Sequence, residues 1–343
     1  MFGLVLTIIV RVIPAGAGFM ARETPGDTHT IYSRIARLRQ RQLKSLVFLV
    51  LGTSVGVSTL FALVSLLPSF PSSFAFYVLV ALFVVGIMAQ IAQQVWHVED
   101  YWFQARAVAE TAKSLAWEYR AGVKELTARE NIERKTLNLG SNGNKPPEKS
   151  LPVEEELVKT LKDLRAEFGK SLYSDYDKVT VESEVSDEMK ALRDSPDWEK
   201  RKSTYLNDRL EDQLGWYSGK ARFNKRMSRS FAATAIALEL AGLAVAVYAF
   251  TVELVPAEGA LALVATLVAS LVGWSQSRRY AELVEPYTYT GETLQRLKEG
   301  FKEVSDEKSF LRLAEDSEHA ISREHQMWEI RRKATTKRHL GPP

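Results

Sequence analysis

One carboxylate stands inside an apolar stretch of 20 residues in the second half of the chain. The stretch, FAATAIALELAGLAVAVYAF, begins at Phe231 and carries Glu239 near its middle. In such a place a carboxylate can line a water-filled path and favour cations, or stay protonated and hydrogen-bonded within a helix bundle. Which chemistry applies depends on what surrounds the helix.

Other residues that commonly do chemistry are scarce. The chain has no cysteine, which excludes disulfides, thiolate metal sites and cysteine nucleophiles. His319 and His325 are six positions apart, so they do not share a helix face and make a poor metal pair. Neither a phosphate-binding glycine loop nor a nucleophile motif is present. We therefore expect no enzymatic activity, no cofactor, no metal site and no direct nucleic-acid binding.

The apolar residues of this 343-residue chain are gathered into four blocks with almost no charge. The blocks cover residues 45–67, 74–95, 231–252 and 259–276. A helix needs about 20 apolar residues to cross the hydrocarbon core of a bilayer, and the shortest block can be helped by tilt or local thinning. The sequence therefore predicts an all-α membrane protein with four spans in two hairpins.

Basic residues predict the orientation, because positively charged loops stay on the cytoplasmic side. The turns inside the two hairpins contain no Lys or Arg. Basic residues cluster instead before the first span, before the third and after the fourth: Arg34, Arg37, Arg39, Arg41 and Lys44; Arg222, Lys225, Arg226 and Arg229; Arg278 and Arg279. We expect a multi-pass protein of the inner membrane with both termini in the cytoplasm.

Composition divides the chain into two similar modules, each with a two-span hairpin and long polar helices. A weak echo between AETAKSL and GETLQRL, which follow the second and fourth spans, supports an internal duplication. The predicted order is an N-terminal apolar segment 1–29, a first module 30–137, a linker 138–152, a second module 153–331 and a basic tail 332–343. For the first segment we expect one of two explanations: Met20 is the true start of the protein, or the segment lies at the membrane interface.

The polar regions show helical periodicity. The second span is expected to continue without a break through the stripe of Trp102, Ala105, Ala109, Ala112, Ala116 and Tyr119. Ser195 and Pro196 predict a helix start that leads into the third span. Towards the C-terminus, packed coiled-coil-like helices are predicted by a seam of Leu294, Leu297, Phe301, Val304, Phe310, Ala314, Ser317, Ile321 and Trp328. Residues 177–188 favour irregular structure over a small strand.

Small residues at a spacing of three or four lie in three of the spans. They are Gly52 and Gly56 in the first, Ala237, Ala241 and Ala244 in the third, and Ala265, Ala269 and Gly273 in the fourth. Such spacing lets membrane helices approach closely. It is equally consistent with contacts between copies and with packing inside one four-helix bundle.

Glu239 lies about 13 Å into its span at 1.5 Å per residue, close to the bilayer midplane. A charge there costs about 2.5–3.5 kcal/mol on insertion scales. The side chain must therefore face protein or water, or stay protonated. Two explanations remain open beside direct lipid exposure: it lines a pore, or it is a neutral acid hydrogen-bonded to Thr234 or Ser270.

Three segments resemble a known family. WFQARAVAETAKSLAWEYRAG follows the second span, MKALRDSPDWEKRKSTYLNDRLEDQLGWYSGKARFNKR precedes the third, and AEDSEHAISREHQMWEI lies near the C-terminus. They are similar to SLATT domains, the two-transmembrane effectors associated with SMODS and SLOG modules, and the likeness covers residues 30–331. The residues that carry the family pattern are Trp102, Arg106, Glu110, Lys113, Trp117, Tyr119, Arg209, Gln213, Trp216 and Tyr217.

The resemblance implies a bacterial antiviral effector that oligomerises in the membrane and forms a pore, stopping a phage-infected cell. Its implied partners are the lipid bilayer, further copies of the chain, and a nucleotide-signalling or sensor protein encoded nearby. The main alternative is a non-catalytic scaffold or receptor that binds partners through its cytosolic helices. A transporter is disfavoured, because few helix breaks and one intramembrane charge are present.

Overall fold

Helices make up nearly all of the structure, a computed structural model that describes residues 27–67, 71–96, 98–123, 152–169, 183–251 and 257–322. No strand occurs in these ranges, which confirms the all-α prediction. In chain order the elements are α1 (Thr28–Leu66), α2 (Ser72–Val95), α3 (Val98–Ala121), α4 (Val153–Gly169), α5 (Asp187–Arg193), α6 (Trp198–Tyr205), a π turn (Leu206–Leu210), α7 (Glu211–Thr251), α8 (Ala257–Ser277), α9 (Tyr280–Gly300), a 3-10 turn (Phe301–Glu303) and α10 (307–322).

Four helical stretches are long and apolar enough to cross a membrane, as the sequence predicts. They are Thr28–Leu66, Ser73–Val95, Trp198–Thr251 and Glu258–Glu303. α1 alone has 39 residues, so it is about 58 Å long at 1.5 Å per residue. That is nearly twice the thickness of the hydrocarbon core, so α1 extends well beyond it. Residues 68–70 and 252–256, where the hairpin turns are predicted, lie outside the described residues, and the two-hairpin arrangement stays a prediction.

The helix of the second span ends earlier than the sequence predicts. α2 stops at Val95, and Trp96 has φ −87° and ψ −1°, outside the centre of the helical region. α3 then begins at Val98 with Glu99 and Asp100 in its first turn. Acidic residues favour the positive end of a helix dipole, so this pair supports a new helix start. The predicted uninterrupted helix is therefore wrong at this point.

The helix that leads into the third span also begins elsewhere than predicted. Asp197 is the N-cap of α6, and its Oδ1 accepts hydrogen bonds from the backbone N–H groups of Glu199 at 3.0 Å and Lys200 at 3.2 Å. The prediction that Ser195 is the cap, with Pro196 at the first helical position, is wrong by two residues. A carboxylate that takes two N–H groups satisfies more of the helix end than one hydroxyl does.

Most of the predicted apolar stripes face the interior. Ala105, Ala109 and Ala112 are at most 3% exposed, as are Phe310 and Ala314 on the C-terminal seam. Of residues 177–188, the described ones before α5 are irregular. The predicted segments that lie outside the described residues are 1–26, 138–151 and 332–343, together with Trp328.

The helices gather into two compact units. The first, here called the apolar unit, comprises Arg37–Trp102 and Lys220–Glu285. The second, here called the polar unit, contains Phe103–Gly219, the start of α1 up to Ala36, and the chain from Pro286 onwards. Each unit takes residues from both predicted modules, so spatial units and sequence modules divide the chain differently.

Close backbone approaches hold the apolar unit together. α1 meets α8 where a Cβ added to Gly259 would lie 2.8 Å from the Cα of Ala62. The same two helices share a hydrogen bond of 2.7 Å between the hydroxyls of Ser58 and Thr266. α1 also meets α2, where a Cβ added to Gly86 would lie 2.9 Å from Thr53 Oγ1. Helices pack this tightly only where one side lacks a side chain.

The contact at Gly259 predicts the cost of a single methyl group. Gly259→Ala should lower the free energy of unfolding by about 1–3 kcal/mol, because the new Cβ meets backbone that cannot rotate away. Thermal unfolding in detergent measures this. Gly52→Ala is the matched control, since a Cβ there meets nothing within 4 Å among the described residues. Equal stability of the two variants would contradict the proposed packing.

Candidate functional site

A π turn places an arginine in the centre of the polar unit. Leu206–Leu210 form one five-residue π turn between α6 and α7. Such turns interrupt the regular helical bonding and are frequent at functional sites. The turn buries two successive side chains, Arg209 and Leu210, both at 0% exposure. Arg209 is one of the family-pattern residues that the sequence singles out.

Arg209 forms a two-pronged ion pair with Glu318 of α10. Its Nε donates to Oε1 at 2.8 Å and its Nη2 donates to Oε2 at 2.6 Å. Nη2 also lies 3.1 Å from the hydroxyl of Ser114 on α3. Both charged side chains have no exposed surface. Paired planar groups in this geometry form the stronger class of hydrogen bond.

The electrostatics of this pair are set by burial. Burial opposes the positive charge of Arg209, but the facing carboxylate of Glu318 outweighs it, and the pKa of Arg209 is raised. Removing two charges from water costs several kcal/mol per ion, and only good geometry offsets that cost. Nη1 of Arg209 is buried without a hydrogen-bond partner in the described part of the chain.

Aromatic rings close the pair off from water. The Tyr205 hydroxyl lies 3.0 Å from Glu318 Oε1 and 3.2 Å from the carbonyl oxygen of Ala314. Burial, and then the Glu318 charge, raise the pKa of Tyr205 well above its ordinary value. The Tyr205 ring packs against Trp117 at 6.1 Å and Phe301 at 6.0 Å between ring centroids.

Other family-pattern residues form a second group on the first turns of α7. Trp216 and Tyr217 pack edge-to-face at 4.9 Å, and both contact Tyr287 of α9. The guanidinium of Arg106 lies over the Trp216 ring at 5.9 Å. Here the guanidinium is held against an aromatic face, as in other cation–π contacts.

The remaining family-pattern residues serve local contacts. Buried Gln213 donates to Asp212 at 3.2 Å, and Lys113 Nζ lies 3.9 Å from the same carboxylate. The Tyr119 hydroxyl accepts a hydrogen bond from Arg193 at 3.1 Å. The charge of Glu110 acts on Arg209. Trp102 belongs to the apolar unit, where it packs on the cluster of Leu43, Leu46, Val47, Ala92 and Val98.

Sequence reasoning did not select Glu318, Ser114 or Tyr205. Glu318 stands one position after Ser317 and four after Ala314, on the apolar seam of α10. An acid on an apolar face is a signal of a buried partner. The identity of that partner carries no local signal, because Arg209 is 109 positions away.

The apolar unit contains the second candidate site, a groove beside Glu239. The groove has a volume of about 630 Å³ and lies between α7 and α8. The predicted small residues Ala265, Ala269 and Gly273 all line it. Its lining residues are Glu239, Gly242, Leu261, Val264, Ala265, Val268, Ala269, Val272, Gly273 and Gln276.

Glu239 is exposed in this groove. In the described part of the chain it forms no hydrogen bond with Thr234 or Ser270, the two partners that the packing hypothesis names. Glu239 and Gln276 are the polar members of an otherwise apolar lining. The groove therefore presents a carboxylate beside the small residues Ala265, Ala269 and Gly273, where another helix can approach closely.

The first-span glycines differ in their surroundings. A Cβ added to Gly56 would lie 3.3 Å from Leu82 of α2, so Gly56 faces a helix of its own chain. A Cβ added to Gly52 would meet nothing within 4 Å in the described part of the chain, and Gly52 is exposed.

The four long apolar helices and the helical polar unit define a multi-pass membrane protein. Comparison with family models finds SMODS and SLOG-associating 2TM effector domain 3 at residues 30–136. It finds SMODS and SLOG-associating 2TM effector domain 1 at residues 205–328. The chain is thus a tandem member of the SLATT effector domains. No curated protein and no solved structure matches it.

The group around Arg209 contains residues from both family domains. Arg209 and Glu318 lie in the second domain, whereas Ser114 and Trp117, which complete the group, lie in the first. The hydroxyl pair of Ser58 and Thr266 joins the domains in the apolar unit in the same manner.

The ion pair predicts a large loss of stability when one partner is removed. Glu318→Ala should lower the free energy of unfolding by about 3–5 kcal/mol, because it leaves the Arg209 charge buried and unpaired. Chemical denaturation in detergent measures this. Glu315→Ala on the same helix is the control. The Glu315 side chain is 34% exposed, and its contact with His319 is long, at 3.9 Å.

Replacing both partners shows whether the loss comes from the unpaired charge or from the loss of either side chain. The double variant Arg209→Met/Glu318→Leu should recover most of the loss, because no charge stays buried. A double variant as unstable as the two single changes added together would contradict the coupling.

The raised pKa of Tyr205 predicts that the folded state loses stability at alkaline pH. Its raised pKa keeps the proton in the folded state, while the unfolded chain releases it near pH 10. The stabilisation is therefore complete below pH 10 and declines as pH rises beyond it. Tyr205→Phe should flatten the fall of the unfolding midpoint between about pH 9 and 11.5. The exposed Tyr289→Phe is the control, and identical slopes for wild type and Tyr205→Phe would refute the assignment.

Proposed function

We propose that this protein is a pore-forming membrane effector whose copies assemble over the Glu239 groove. The observation that carries the proposal is an exposed carboxylate on an apolar helix, set in a groove of small side chains. A lipid-facing charge near the bilayer centre costs about 2.5–3.5 kcal/mol or more. A second copy or a column of water removes that cost.

The surface around Glu239 suits assembly. Ile236, Leu240, Leu243 and Val247 on the same helix are each more than half exposed. Alanines and a glycine on α8 leave space for a helix to enter the groove. When several copies close into a ring, the carboxylates gather around one axis, where water solvates them and their charge favours cations.

The orientation and the trigger belong to the same proposal. The basic residues beside the spans favour the inner membrane with both termini and the polar unit in the cytoplasm. There the polar unit can meet a signal. The family description names SMODS and SLOG as associated modules, which supports a nucleotide-signalling or sensor protein as the partner in an antiviral system.

Ion selectivity tests the role of Glu239. The purified chain, reconstituted in dye-loaded liposomes and in planar bilayers under a KCl gradient, should release dye and pass cations in preference to anions. Glu239→Gln should lower the cation preference by about tenfold, because the focused negative potential is lost. The reversal potential measures this change.

Glu258→Gln is the matched control, because Glu258 is an exposed carboxylate in the first turn of α8. It removes the same charge from the same unit and should leave selectivity near the wild-type value. Equal selectivity of wild type and Glu239→Gln would refute the lining role. Absence of leakage at every concentration that yields oligomers would favour a membrane scaffold instead.

A further inference from the structure

Four cations converge at one end of the apolar unit. Arg41 and Lys44 come from α1, Lys220 comes from α7, and Arg278 lies in the turn between α8 and α9. Trp274, one turn before Arg278, packs on the apolar cluster that contains Leu43, the residue before Lys44. Three separate parts of the chain thus contribute to one basic cluster. Arg41 and Lys220 are exposed, and Lys44 and Arg278 are half-buried.

Aromatic rings position two of these cations. Lys220 Nζ lies 6.0 Å from the centroid of the Phe223 ring, and the Arg278 guanidinium lies 6.0 Å from that of Tyr280. The Phe223 and Tyr280 rings are 6.2 Å apart in edge-to-face contact. One aromatic pair therefore connects Lys220 to Arg278.

The cations of the cluster repel one another. Burial, and then the charges of Arg278, Lys220 and Arg41, lower the pKa of Lys44. The hydrogen bond from Lys44 Nζ goes to a neutral acceptor, Gln40 Oε1, at 3.4 Å. Arg279, next in the chain, forms an ion pair with Glu99 at 3.5 Å. A bound anion would relieve this repulsion.

The cluster lies where lipid headgroups are expected. Lys44 directly precedes the first apolar block, and Arg278 follows the fourth. Large apolar side chains beside it are exposed, with Phe48 at 69% and Phe223 at 48%. Basic pockets between membrane helices are known to hold anionic headgroups, and apolar surface next to such a pocket can contact acyl chains.

We propose that Arg41, Lys44, Lys220 and Arg278 bind the phosphate of an anionic phospholipid, with its acyl chains against the apolar surface at Phe48. The site does not depend on pore formation, because it lies at the end of the spans and excludes Glu239. It makes the protein selective for anionic lipid.

Lipid binding by the full chain tests this site. The protein in neutral detergent is titrated with phosphatidylglycerol, phosphatidylcholine or soluble glycerol phosphate, and bound molecules are counted by native mass spectrometry. Wild type should retain phosphatidylglycerol in preference to the other two. Lys44→Gln/Lys220→Gln/Arg278→Gln should bind it about 100-fold more weakly, since each cation near an anionic lipid contributes about fivefold.

Lys159→Gln/Lys162→Gln/Lys200→Gln is the control with the same change of charge, at exposed positions of the polar unit. It should bind phosphatidylglycerol as wild type does. Lys44→Arg/Lys220→Arg keeps the charges and should retain binding even if the neutral variant misfolds. Equal loss in the control, equal binding of phosphatidylcholine, or equal binding of glycerol phosphate would each overturn the proposal.

Discussion

The buried contact between Arg209 and Glu318 is the constraint on which the polar unit depends. Neither charge reaches water, so each is tolerated only while the other is in place. The contact joins residues 109 positions apart, and Ser114 adds a third helix to the group. The rings around Tyr205 keep water out and so strengthen the attraction. A few polar atoms therefore join α3, α10 and the π turn that precedes α7.

The two notable carboxylates of this protein have opposite surroundings. Glu318 is fully enclosed and paired, which makes it a structural residue. Glu239 is exposed on an apolar helix beside a groove. The free-energy cost of its charge therefore depends on whether lipid, water or protein covers it. The proposed function follows from this difference, because another copy of the protein, or water between copies, would cover Glu239. The sequence distinguishes Glu239 by its uncharged neighbours, but nothing near Glu318 in the sequence indicates that its side chain is fully buried.

Composition and helical periodicity predict most of the helices, but not the break between α2 and α3. The spans follow from uncharged blocks, and buried Ala105, Ala109 and Ala112 follow from helical spacing. The sequence does not predict a helix start correctly where two capping residues are close together. Asp197 is the N-cap in place of Ser195 because its carboxylate accepts hydrogen bonds from two backbone N–H groups. The π turn and its distant partner were beyond prediction, since they depend on packing between elements. For the groove, the small residues of α8 were found, but their place beside Glu239 was not.

The hydroxyl pair of Ser58 and Thr266 has a consequence for how the gene can be arranged. Together with the contact of Arg209 and Ser114, it binds the first family domain to the second in both units. A gene cut between the domains would yield two pieces that each present a surface meant for the other. Those pieces would have to be produced in the same cell and bind one another to reach the state that one continuous polypeptide reaches by itself.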